Sequence, residues 1–225
     1  MDAKHVGRPD QACRFCGIRN LKYAESYDAP VAESDHFFAV PSLGGFVPGW
    51  TLVCPKEHCL NLAGVYGTEE FAAFSRGVAS ALARSFGAPV VVFEHGCRRG
   101  GSLTGCGTDH AHLHLVPFRG SLEAAVRDFD PSGEWIAGNA RDLNMLVGLN
   151  EYLIMAESFD DLYGAALVRS VDVPRSQYFR LAIAEALGLS AIADYRHYPF
   201  TELARLTASR LIALENQIEI LREVA

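Results

Sequence analysis

The sequence predicts an α+β fold, in which short apolar strands and amphipathic helices share one chain. Segments rich in β-branched and aromatic residues at 35–40, 49–55 and 89–94 are typical of strands. Apolar residues recur at helical spacing over 68–86 and again over 201–225. A chain of 225 residues, 49% hydrophobic and 21% charged, is long enough to bury a substantial core without disulfides.

Turn and cap residues bound the predicted elements. The segment 41–45, with a proline and two glycines, separates the first two strands. Thr68 is the predicted N-cap of the first helix, and Gly87 ends it. The second half of the chain is marked less sharply. There we predict helices over 121–129, 176–187 and 201–225 and strands over 146–156 and 164–171.

Three histidines alternate with apolar residues between Asp109 and Pro117. In a strand, alternate side chains share a face, so His110, His112 and His114 would point the same way. Such a row of imidazoles suits metal binding or nucleophilic and acid–base chemistry. The alternative is a strand whose exposed face is rich in histidine.

Cys13 and Cys16 form a CxxC pair in a chain with six cysteines. The pair presents two thiolates to one metal ion, and His58 with a histidine of the row would complete a tetrahedral zinc site. A redox pair and an empty site are the alternatives. No thioredoxin-like pattern surrounds the pair.

Charge and hydropathy exclude some classes of protein. The net charge is -7 and no basic stripe is present, which argues against a surface that coats nucleic acid. No apolar stretch approaches the roughly 18 residues that span a bilayer, and 1–12 carries no apolar signal segment. We therefore expect a cytoplasmic protein that does not bind membranes.

Several further residues are candidates for binding an anion. Gly105 and Gly107 would let backbone N–H groups approach a phosphate, although a flexible hairpin loop explains them equally well. His95, at a strand end, either contacts phosphate or acts as a general acid. The alternative is a histidine at the surface or one that only supports a neighbouring residue. Ser176 and Gln177 lie at the N-terminus of a predicted helix, where they either bind an anion or merely cap the helix.

Three motifs carry a family resemblance. The run His110-Ala-His112-Leu-His114-Leu-Val resembles the signature of the histidine triad (HIT) superfamily. The segment 49–58 resembles the family's G-H-x-L-V-I-P-K-x-H strand and turn. Cys13-x-x-Cys16 stands where many bacterial members have a zinc knuckle. The resemblance covers about half of the chain, from 13 to 118.

The resemblance implies a nucleotide hydrolase or nucleotidyltransferase. His112 would attack a phosphorus atom and carry a covalent nucleotidyl group, while His114 would bind phosphoryl oxygens or orient the nucleophile. Structural Zn²⁺ would be held by Cys13, Cys16, His58 and His110. The resemblance also implies an antiparallel sheet flanked by helices, and a homodimer. The expected organisation is a flexible N-terminus (1–12), a HIT-like catalytic domain (13–118) and an α/β C-terminal extension packed on it (119–225).

Departures from the family pattern predict a changed substrate. Ser42 stands where many members have an aspartate that grips the ribose, and Trp50 replaces a histidine. The approach to the triad also lacks the usual glutamine and serine. One alternative is a phosphorylase or transferase of specialised, for example nucleoside, metabolism. Another is a zinc-stabilised nucleotide-binding protein without turnover.

Overall fold

A computed structural model describes residues 13–19, 26–105 and 108–224, except the side chains of Ser26 and of 215–224. The predicted flexible segment 1–12 and Gly107 lie outside the described residues. The helices are α1 (Arg14–Arg19), α2 (Glu69–Phe86), α3 (Leu122–Phe129), α4 (Leu143–Val147), α5 (Tyr178–Ala186) and α6 (Thr201–Val224). The strands are β1 (Ala32–Glu33), β2 (Phe37–Pro41), β3 (Thr51–Pro55), β4 (Val90–Gly96), β5 (Leu113–Pro117), β6 (Ile136–Gly138), β7 (Glu151–Ala156) and β8 (Ala166–Val171).

The strands of the described residues form one antiparallel sheet in the order β1-β2-β3-β5-β4-β7-β8-β6. The predicted α+β class, with helices flanking an antiparallel sheet, is confirmed. The C-terminal strands continue the sheet of the first half, because β7 pairs with β4 from Val92↔Ala156 to Gly96↔Tyr152. The division into domains at residue 118 stays a prediction.

The sheet separates two apolar layers. One layer contains Leu113 and Leu115 of β5 together with buried residues of α2 and α6. The other contains Trp50 and Phe93 together with buried residues of α1, α3 and α5. Since successive side chains of a strand point to opposite faces, His114 lies on the α1–α5 side. In the described part of the chain, no helix is long and apolar enough to cross a membrane.

The boundaries of several elements differ from those predicted. Strand β5 begins only at Leu113, so His110 and His112 precede it. The strand predicted from residue 146 was wrong at its start, because α4 continues to Val147 and Gly148 follows at φ 57. The helix predicted from Ser176 begins at Tyr178, since Gln177 has a left-handed backbone with φ 61. By contrast, α2 ends as predicted at Gly87, whose N–H donates to the Ala83 carbonyl at 2.9 Å.

Gly96 of β4 lies directly against Tyr152 of β7. A Cβ atom there would overlap the ring of Tyr152, whose hydroxyl donates to the buried Glu94 carboxylate at 2.8 Å. The Tyr152 ring is fully buried and held at both ends, so it cannot move aside. The absence of a side chain at residue 96 therefore sets the geometry of the strand end that carries His95.

We expect Gly96→Ala to lower the free energy of unfolding by about 1–3 kcal/mol, the usual cost of overpacking a core. The matched control is Gly77→Ala in α2, where no atom lies within 4 Å of the added methyl group. Because alanine favours helix, the control should gain about 0.5–1 kcal/mol. Urea unfolding of the three proteins measures both values. Equal effects of the two substitutions would contradict the packing account.

Candidate functional site

Two cysteine and two histidine side chains converge at the start of α1. The ligand atoms of Cys13, Cys16, His58 and His110 all lie within 4.8 Å of one another, so the cluster can hold a metal ion. Cys13 Sγ is 3.5 Å from His110 Nδ1, and Cys16 Sγ is 3.3 Å from His58 Nδ1. Zinc–sulfur and zinc–nitrogen bonds of normal length give ligand–ligand separations of about 3.3–3.8 Å in a tetrahedron. The four side chains therefore fit a metal ion with tetrahedral coordination.

The far nitrogen of His110 supports this geometry. Its Nε2 lies 2.8 Å from the carbonyl of Pro55, and since a carbonyl only accepts, Nε2 carries the proton. Nδ1 thus points a lone pair at the two sulfurs, as a ligating histidine requires. Burial lowers the pKa of His110 to about 4. Burial, together with the neighbouring Cys13, raises the pKa of Cys16 to about 11.

His112 is half-buried and has a defined tautomer. Its Nδ1 lies 2.7 Å from the carbonyl oxygen of His110, so Nδ1 donates and Nε2 keeps a free lone pair. Phe15 of α1 packs against the ring, with 5.5 Å between the centroids. Burial lowers the pKa of His112, which favours the neutral, nucleophilic imidazole.

His114 has the opposite tautomer. The indole Nε1–H of Trp50, which can only donate, lies 3.0 Å from His114 Nδ1. The proton of the neutral ring is therefore on Nε2, which is buried and has no hydrogen-bond partner. Burial keeps the pKa of His114 well below its ordinary value. The ring stacks on Phe93, and its centroid is 4.7 Å from that of His112, so the two rings are neighbours.

His95 joins this group from β4. Its Nε2 accepts a hydrogen bond of 3.4 Å from the backbone N–H of Phe179, so the proton of the neutral ring is on Nδ1. Nδ1 is buried and without a partner, as is the Nε2 atom of His114. The centroids of these two rings are 5.7 Å apart. Burial lowers the pKa of His95 to about 3. The site thus combines one free lone pair with two unpaired N–H donors.

The loop between β4 and β5 is fastened to the C-terminal half. Ser102 and Thr104 both donate to a carboxylate oxygen of Glu151 on β7, at 2.7 Å. Gly105 is buried beside Cys97, and its carbonyl accepts from the Thr108 N–H at 3.0 Å. Gly107, the other predicted phosphate contact, lies outside the described part of the loop.

The remaining predicted contacts are Ser42, Ser176 and Gln177, and two of them have hydrogen-bond partners within the fold. Ser42 is only 4% exposed, and its N–H donates to the Trp50 carbonyl. By the register of β3 with β5, His112 lies opposite Cys54, which is four residues after Trp50. Gln177 is buried, and its side chain bonds Asp194 at 3.4 Å and the Tyr195 N–H at 3.5 Å. Ser176 is half-buried before α5. The role of these three residues in substrate binding stays a prediction.

Three residues of the site were not predicted in their present roles. Trp50 fixes the tautomer of His114, Phe179 fixes that of His95, and Arg180 lies over the Trp50 indole at 4.6 Å from its centroid. Trp50 was noticeable in the sequence only as a departure from a motif. Trp50 directly precedes β3, which pairs with β5, so an assumed β3–β5 register was the signal that could have found it.

No protein-family model and no curated protein sequence matches the chain. Among solved structures, it is similar to a Hit-like protein involved in cell-cycle regulation from Bartonella henselae, at 24% identity over 48% of this chain and 81% of that one, with a TM-score of 0.39. It is also similar to a HIT family protein from Bacillus anthracis, at 28% identity over 49% and 76% of the two chains, with a TM-score of 0.39.

A third similar structure is a hypothetical histidine triad nucleotide-binding protein from Sulfolobus tokodaii, at 17% identity over 92% of this chain and 96% of that one, with a TM-score of 0.39. All three of these neighbours are described as HIT proteins, which is the family that the sequence motifs resemble. At these TM-scores the likenesses carry no argument about activity. The case for a function depends on the side chains of this chain.

The hydrogen bond from Trp50 predicts a measurable tautomer. In the wild type, long-range ¹H–¹⁵N spectra should show His114 protonated on Nε2. Trp50→Phe removes the donor, so both tautomers of His114 should become populated. The chain has two tryptophans, and Trp135→Phe is the matched control that should leave His114 unchanged. An unchanged Nε2–H tautomer in Trp50→Phe would contradict the assignment.

Proposed function

We propose that the chain is a nucleotide hydrolase or nucleotidyltransferase that works through a covalent nucleotidyl group on His112. The observation that carries this proposal is the opposite protonation of two neighbouring rings, His112 and His114. His112 presents an unprotonated Nε2, and next to it His114 presents a buried, unpaired N–H. A nucleophile beside donors for developing negative charge is the arrangement that displacement at phosphorus requires.

The proposed reaction has two displacements. In the first, the Nε2 lone pair of His112 forms a P–N bond while the bond from phosphorus to the leaving group breaks, and the leaving group departs with the bonding electrons. In the second, water or an acceptor hydroxyl attacks the same phosphorus, the P–N electrons return to Nε2, and the proton of the attacking O–H group passes to the departed leaving group or to the solvent. The His110 carbonyl stabilises the positive charge that the His112 ring carries in between, since it accepts from Nδ1–H at 2.7 Å.

His114 and His95 have supporting roles in this proposal. The Nε2–H of His114 and the Nδ1–H of His95 would donate to phosphoryl oxygens as charge builds on them. Burial lowers the pKa values of both rings, so each ring would donate its hydrogen bond in the neutral form. Trp50 and Phe179 would keep each ring in the donating tautomer, so they are positioning residues rather than catalytic ones.

We further propose that the ion held by the Cys/His cluster is Zn²⁺. Two thiols and two imidazoles are the donor set that structural zinc prefers, and three of the sulfur–nitrogen separations, at 3.3–3.7 Å, suit a tetrahedral site. The ion would fix α1 against the strands and so hold Phe15 against His112. Bound zinc would stabilise the deprotonated thiolates and take no part in the displacement. A cytoplasmic location and a homodimer stay predictions from the sequence.

The covalent step predicts an adduct on one residue. After incubation with a panel of nucleoside phosphoramidates and dinucleoside polyphosphates and a rapid quench, mass spectrometry should find an acid-labile nucleotidyl group on His112. His112→Ala should abolish it, and His114→Ala should slow its formation about 10²- to 10³-fold. His36→Ala, an exposed histidine paired with Glu70, is the control that should label normally. An adduct that persists in His112→Ala would contradict the assignment.

If the cluster holds zinc, replacing one of its cysteines should remove the metal and lower the thermal stability of the protein. Purified wild-type protein should contain stoichiometric zinc, and Cys13→Ser should contain little and melt several degrees lower, because metal binding contributes to folding. Cys59→Ser is the matched control outside the cluster and should keep its zinc. Elemental analysis and thermal unfolding measure both effects. A wild type without zinc, or a Cys13→Ser variant with full zinc, would overturn the proposal.

A further inference from the structure

The C-terminal half fills the space on the β2 side of the histidines. A Cβ atom at Gly44 would overlap Tyr195, and the Gly44 carbonyl accepts a hydrogen bond from Arg180. The Arg180 guanidinium also covers Trp50, and Ser42 is buried beneath these groups. This side of the site therefore offers little room for a nucleoside.

A cavity of approximately 490 Å³ lies on the other side, against the C-terminal strands. Leu153 of β7 and Arg169 and Val171 of β8 line it, together with Thr104 of the loop and Tyr178 of α5. Its volume is within the range of about 300–1,000 Å³ that is usual for ligand pockets.

The sheet register connects this cavity to the reactive histidines. His95 pairs with Leu153, and Leu153 pairs with Arg169, so the three side chains follow one another across the same face. His112 belongs to the neighbouring strand segment on the other side of β4. The chain segment that carries His112 and the strand that carries Leu153 are therefore two strand spacings apart, about 10 Å. That separation is comparable with the length of a mononucleotide.

The cavity walls combine apolar and hydrogen-bonding groups. Leu153 and Val171 provide an apolar surface, and two large side chains at the rim are exposed to solvent, Ile136 at 48% and Val173 at 75%. Such apolar surface suits the face of a planar ring. The hydroxyl groups that line the cavity belong to Thr104, Ser132, Ser170 and Tyr178.

The charges favour an uncharged ligand group. Arg169 and Arg175 line the cavity, but so do the carboxylates of Glu134 and Asp172, and these four formal charges cancel. Both guanidinium groups also pair with the buried Asp130 carboxylate, at 2.8 and 3.2 Å. A second phosphate would therefore meet no net positive charge. Hydroxyl groups and ring nitrogens would find both donors and acceptors.

We infer that this cavity binds the nucleoside portion of the substrate while the phosphate lies at His112. The identity of the ligand rests on the proposed nucleotide chemistry. The cavity takes the base against Leu153 and Val171, and the ribose lies between the base and the phosphate. Substrate specificity would then be determined by the C-terminal half of the chain.

The test uses the four common nucleosides, which lack phosphate, and measures their binding to the full chain by saturation-transfer NMR. At least one should bind, and Val173→Trp, which narrows the rim, should weaken it at least tenfold. Met145→Trp is the matched control, since Met145 is exposed on α4, which packs in the layer on the opposite face. Arg175→Gln offers a second, milder change and should weaken binding severalfold, whereas Arg127→Gln on α3 should not.

The outcomes separate this inference from the proposed chemistry. If no nucleoside binds, or if Val173→Trp and Arg175→Gln bind it as tightly as the wild type, the cavity is not the nucleoside site. That result overturns the inference even where His112 still becomes labelled. If the two variants lose nucleoside binding but no adduct forms on His112, the cavity assignment stands and the covalent mechanism fails.

Discussion

The pairing of β4 with β7 is the interaction on which the rest of the site depends. It joins the C-terminal strands to the sheet that carries the histidines, over five residue pairs that end at Gly96 and Tyr152. Through it, Glu151 holds the loop that precedes the histidine row, and α5 brings Phe179 and Arg180 to the site. Both halves of the chain thus contribute to one reactive surface.

Burial and hydrogen bonding together determine the protonation of the site. Burial favours neutral imidazoles, and each ring then has one proton to place on one of two nitrogens. A carbonyl beside His112 and an N–H donor beside His114 place these protons oppositely. The Cys/His cluster contributes indirectly, because the carbonyl that orients His112 belongs to His110, a member of the cluster. The Cys/His cluster and the His112 ring are therefore connected through only two residues of the chain.

Local patterns allowed much of the fold and of the site to be predicted from the sequence. Alternation placed the histidines on one face and Leu113 in the opposite layer, and the CxxC pair with His58 and His110 forms the expected cluster. The β4–β7 pairing and the Trp50–His114 bond could not be predicted in the same way. Both join residues about 60 positions apart, and register between distant strands leaves no local signal. The cavity could not be predicted for the same reason, because it forms only when β7, β8 and α5 have packed together.

Amide hydrogen exchange tests most directly the claim that both halves form one structural unit around the site. The account predicts that the slowest amides of β7, such as Leu153 and Met155, exchange only by global unfolding, with the same free energy as those of β5. Exchange of β7 amides through a partial opening of markedly lower free energy, while β5 stays protected, would contradict it. In that case the C-terminal half would be a separable attachment rather than part of the site.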